Sequence, residues 1–178
     1  MTPVLGAPTD RPRRQRASLE PGSKHEEICT RLSSISAAAE AHMGKVVRRS
    51  AGGDLNEKHA VAEIVRAKVI ADFANIYLII LSKDGLAQDQ MLEGAMVAAA
   101  NRFATRVERC NYLPEGDLIL RAEGDAGVHH AWDLHTDFLG SLTAHLDALK
   151  RMGVAIKEFP TVFADAQDVL RVGVAATK

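Results

Sequence analysis

The densest set of side chains able to do chemistry in the 178-residue chain is HHAWDLH, which holds His129, His130 and His135 with Asp133 and Asp137 between them. His145 follows ten residues after His135. Imidazole and carboxylate are the ligands a transition metal takes from a protein, and histidine also holds haem iron. On a helix His129 and Asp133 stand one above the other at i, i+4, whereas His130 and His135 are five apart and diverge, so the run alone does not converge four ligands. A di-iron site in a bundle uses Glu-x-x-His on two helices, and neither that tetrad nor His-Glu-x-x-His occurs in the chain. What remains for a transition metal or haem is a site centred on His135, with His129 and His145 as the neighbouring candidates and His42 or His59 contributed by another helix. The competing reading of His135 is a hydrogen-bonded core residue.

Other chemistries find less. There is no Gly-x-Ser-x-Gly, no glycine-rich phosphate loop and no cysteine beside a histidine, which leans the reading away from an enzyme. Glu123 and Asp125, lying among glycines, could form an acidic pocket, but a solvated loop explains them with fewer assumptions. His42 or His145 could be a phosphorelay histidine: His42, with Lys45 three residues on, faintly resembles the histidine-phosphotransfer pattern, and the small glycine that pattern wants next is Val46 here. Trp132 reads first as a core anchor, and as an interface hot spot if exposed.

The elements that must position these residues read as helices. Asp54, after Gly52-Gly53 and three residues before Glu57, has the spacing of a helix start. From there Ala62, Val65, Val69, Phe73, Ile76 and Ile80 form one apolar stripe, and Ile70, Tyr77 and Leu81 a second beside it. Two stripes call for partners on two sides, so surface near Tyr77 and Leu81 is expected to meet a protein partner or a second copy of the chain. The unbroken apolar run spans only Ile76 to Leu81, far short of the ~20 residues of a membrane span.

Upstream, Ser23 and Glu26 have capping-box spacing, and the helix they open carries Ile28, Leu32, Ile35, Ala39, His42 or Met43, and Val46. A third helix places Leu92, Met96, Ala99, Phe103, Val107 and Cys110 on one face, and Pro114 and Gly116 break it. A fourth follows from Val128 through Trp132, His135, Leu139, Leu142 and Leu146 to Leu149, spaced 4, 3, 4, 3, 4, 3. Met152-Gly153 looks like its end. Thr161 could then cap a short last helix carrying Val162, Phe163, Ala166, Val169 and Leu170.

These elements predict an all-α fold, an antiparallel bundle of about four main helices over 24–50, 54–81, 86–110 and 128–152 with a short C-terminal helix. The alternative is α/β, with a small parallel sheet from 75–81, 117–121 and 154–159. The stretch ALKRMGVAIKEFPTVFADA resembles a short piece of the phosphonate-metabolising branch of the metal-dependent amidohydrolases, in which a Gly-Val-Ala-Ile strand leads into Glu-Phe-Pro-Thr. The His-x-His pair of that family's first strand is absent, so no activity is carried over.

Composition sets the remaining bounds. With 47% hydrophobic, 25% charged and only 4% aromatic residues, the chain fits one soluble domain with an aliphatic core. Residues 1–22 hold four prolines and RPRRQR, a basic arm expected to be disordered; 23–172 form the single helical domain, and 173–178 a frayed end. Arg11, Arg13, Arg14 and Arg16 could neutralise phosphates, yet no aromatics interleave them, so nucleic-acid contact ranks below a solvated tail. Cys29 and Cys110 read as buried thiols rather than a disulfide, and a cytoplasmic location follows from them and from the lack of a signal-peptide core. The function expected is a non-enzymatic helical interaction or regulatory module without a cofactor, self-associating, with no membrane. A metal- or haem-binding bundle using His135 and neighbouring histidines is the alternative.

Overall fold

The computed structural model describes residues 21–110, 113 and 124–177, and among them every regular element is a helix. α1 runs from Pro21 to Ala51, α2 from Glu57 to Leu81, α3 from Gln90 to Cys110, α4 from Gly124 to Thr143, α5 from Leu146 to Arg151 and α6 from Phe159 to Thr177. A short 3-10 turn, Asp84–Gln88, joins α2 to α3 and tucks Leu86 into the core. The α/β alternative falls: 75–81 is the last part of α2, and 154–158 is irregular chain leading into α6. Residues 117–121, the arm before Pro21, Glu123 and Lys178 lie outside the described residues. No described helix is long and apolar enough to cross a membrane.

α2 is the axis of the fold. Ser36 bonds Asn75 while His42 meets Glu63, so α1 and α2 form an antiparallel hairpin. Gly127 lies against Ala62 while His135 and Phe138 meet Phe73, so α4 runs parallel to α2. α3 and α6 close the remaining sides. The second apolar stripe is therefore covered within the chain: Tyr77 is fully buried and Leu81 nearly so, not presented to a partner. Burial pushes the Tyr77 phenol up to about 12. The expected seams of α1 and α3 are the buried ones, from Ile28 to Val46 and from Leu92 to Val107.

Helix ends depart from expectation in instructive ways. α2 is capped by Asn56, whose side chain accepts the His59 N–H at 2.8 Å, and not by Asp54. Asp54 instead donates its backbone N–H to Arg49 O across Gly53, which sits at φ +82°, in the glycine turn that closes α1. α1 itself begins at Pro21, so Pro21, Gly22 and Ser23 are helical; proline is well tolerated in a first turn, where no intrahelical N–H bond is lost. α6 does not fray at Gly173. A Cβ there would come within 2.7 Å of Val47 Cγ1, so the bare glycine is what lets α6 lie against α1 as far as Thr177.

Candidate functional site

The fourth predicted helix is broken in two. Ala144 and His145 interrupt it, and α5 is a single short segment ended by Gly153 at φ +81°, where Val154 N–H bonds back to Leu149 O. The chain then passes through 154–158 without regular structure, and Pro160 sits harmlessly in the first turn of α6. Because α5 and 154–158 stand off α4 and α6, a groove of about 910 Å³ opens between them, lined by Trp132, His135, Leu139, Leu146, Ile156 and Phe159 among others.

The face of α4 that enters the core is Ala131, Leu134, His135, Phe138 and Leu142. It is offset from the expected seam by about one residue, because α4 buries a broad face against its neighbours, and Trp132, Leu139 and Leu146 are left to edge the groove. Trp132 is thus no core anchor: it is 48% exposed and stands edge-on to Phe159 with ring centroids 4.7 Å apart. Leu146 is exposed as well.

His135 forms the floor. It is 5% exposed and held edge-on between Phe73, at 5.4 Å, and Phe159, at 5.7 Å. Burial lowers its pKa from the ordinary histidine value against the opposing pull of Asp72, so the ring is neutral at neutral pH. Beside it lies a smaller cavity of about 140 Å³, open to solvent past the exposed Ile79, which shares His135, Ala155 and Lys157 with the groove and adds Asp72 and Asn75. Two buried polar atoms here, His135 Nδ1 and Asp72 Oδ2, have no hydrogen-bond partner among the described residues. The other carboxylate oxygen of Asp72 meets Lys68 Nζ at 3.4 Å, and Lys157 Nζ meets Asp165 at 2.9 Å.

A separate polar cluster lies in the core. Glu63 is fully buried on α2; its Oε2 is 3.0 Å from His42 Nε2, and its Oε1 accepts from Arg66 Nη1 at 3.2 Å. Half-buried His130 stands close enough that burial and the Arg66 charge lower its pKa. His42 is 4% exposed and bonded to Glu63, so a receiver domain could not reach it, and the phosphotransfer likeness falls for that residue. The sequence reading missed Glu63; the signal was there, a lone carboxylate in the apolar run between Ala62 and Ile64.

The three histidines singled out as ligands do not meet. His129 is exposed, His135 is buried, and His145 sits half-buried at the break before α5. Among the described residues no three His, Cys, Asp or Glu side chains gather so as to hold a metal ion. The buried Nε2 of His59 has no hydrogen-bond partner among the described residues. Cys29 is a half-buried free thiol whose pKa burial raises, and the Cys110 side chain lies outside the described residues. The chain matches no protein-family model, no curated protein and no solved structure.

Proposed function

We propose that the protein is a non-enzymatic binding module of regulatory type, and that its working surface is the groove between α4, α5 and α6. One observation carries this reading: the chain's single tryptophan is half-exposed and braced on Phe159 over an apolar groove whose floor is a buried, hydrogen-bond-seeking histidine. A volume of about 910 Å³, mostly apolar walls and a few placed polar groups are the attributes of a site for a small organic molecule. A second copy of the chain is the weaker occupant, since the apolar excess of α2 that called for one is covered by the chain's own helices.

The test uses 1-anilinonaphthalene-8-sulfonate, an apolar fluorescent dye, with Trp132 as the site's own reporter because no other tryptophan contributes. Dye binding is expected to brighten the dye and quench Trp132 together, and Trp132→Ala to weaken binding by roughly tenfold or more, as loss of an aromatic anchor does. Dye that leaves Trp132 emission unchanged, or binds the variant equally well, would overturn the reading. Trp132 emission that changes with protein concentration alone would favour a second copy instead.

A further inference from the structure

Resting on that reading of the groove, we infer that its ligand is an uncharged amphiphile, with an apolar body along Trp132, Leu146 and Phe159 and a terminal hydroxyl reaching the smaller adjoining cavity, between His135 Nδ1 and Asp72 Oδ2.

Three features of the cavity select this class. First, the two atoms seeking partners there are of complementary kinds. The ionised carboxylate of Asp72 can only accept, and a neutral imidazole can offer an N–H at Nδ1. A hydroxyl donates once and accepts as well, so one group on the ligand can serve both atoms. Second, the charges around the cavity are already matched. Lys68 pairs with Asp72 and Lys157 with Asp165, each within hydrogen-bonding reach. An ammonium entering would face both lysines, and a carboxylate entering would face Asp72; either also loses its hydration on leaving water, a cost an uncharged group largely escapes.

Third, the groove and the smaller cavity adjoin at His135. The groove is about 910 Å³ and the adjoining cavity about 140 Å³, and Asp72 and Asn75 line the smaller of the two. His135, Ala155 and Lys157 line both, so a molecule lying in the groove against His135 can extend into the cavity that Asp72 lines. A buried polar group left unpaired is costly, and a ligand that pairs it recovers that cost as affinity.

The experiment is displacement of the bound dye by three molecules with the same tail: 1-octanol, octanoate and octylammonium. The alcohol is expected to compete about tenfold more strongly than either ion, a difference of the size that hydrogen bonds to buried partners supply. His135→Phe keeps the ring between Phe73 and Phe159 but removes both nitrogens, and Asp72→Asn keeps the shape while removing the charge. In each, with helix content unchanged by circular dichroism, the preference for the alcohol is expected to collapse towards parity.

If the dye binds and the three compete equally, or if both variants keep the preference, this inference fails while the groove reading stands. If the dye does not bind the wild-type protein at the groove, the groove reading itself fails. Should His135→Phe not fold, Asp72→Asn and the wild-type ranking still decide the matter.

Discussion

Replacing Glu63 with alanine is expected to destabilise the protein by about 3–5 kcal/mol, among the largest losses any single substitution in it can cause. Glu63 is fully buried and is the only group that satisfies both His42 and Arg66 in the hydrogen bonds described. Removing it strands a guanidinium that is itself mostly buried, and a histidine, in a wall of Ala, Val and Ile side chains. Urea unfolding followed by circular dichroism measures the loss. A Glu63→Leu, Arg66→Met double variant is expected to recover much of it, because a buried ion pair replaced whole by apolar groups of similar volume leaves no orphaned charge. A double variant as unstable as the single one would mean that the cluster contributes net stability and does more than satisfy itself.

Phe138→Ala is expected to cost a comparable ~3–5 kcal/mol. Phe138 is 3% exposed, with its ring 5.4 Å from Phe73 on α2 and 4.6 Å from Phe103 on α3. It is the joint at which α4 is fastened to two other helices, with the Arg106 guanidinium 5.9 Å from its ring centroid on the outer side. Truncation removes contacts to both partners at once and leaves a cavity that helices held at three points cannot collapse to fill. Thermal unfolding of Phe138→Leu alongside separates the two contributions, since leucine restores most of the volume without the edge-to-face geometry. A loss under about 1 kcal/mol for the alanine variant would mean that α4 repacks freely.

The helices themselves were legible because their apolar periods are long and their breakers unambiguous. The seams of α1 and α3 were readable residue by residue, from Ile28 through Val46 and from Leu92 through Val107. The groove was not, since it depends on a break at Ala144–His145 that no proline or glycine marks; leucines at 139, 142, 146 and 149 continue a helical rhythm straight across it. The same rhythm misplaced Trp132, because a heptad stripe identifies a face without saying whether its centre or its edge is covered. Asn56 outranked Asp54 as the cap of α2 because the glycine turn ending α1 had already engaged the Asp54 backbone. His135 was singled out correctly as an inward-facing residue, but its neighbours come from α2 and α6, and no spacing within one helix predicts them.

The enclosure of α2 by its neighbours also makes the molecule unequal in how it opens. An amide in the middle of α2, around Val69 to Phe73, cannot meet solvent deuterium unless α1, α4 and α6 come away, so its exchange reports the unfolding of the whole domain. The segment from Leu146 to Glu158 is one short helix and a length of irregular chain, and its amides can exchange through a local opening of much lower free energy. The wall of the groove therefore has more motion left to lose than α2, and an occupant should register there as slowed exchange while α2 responds only through the gain in global stability.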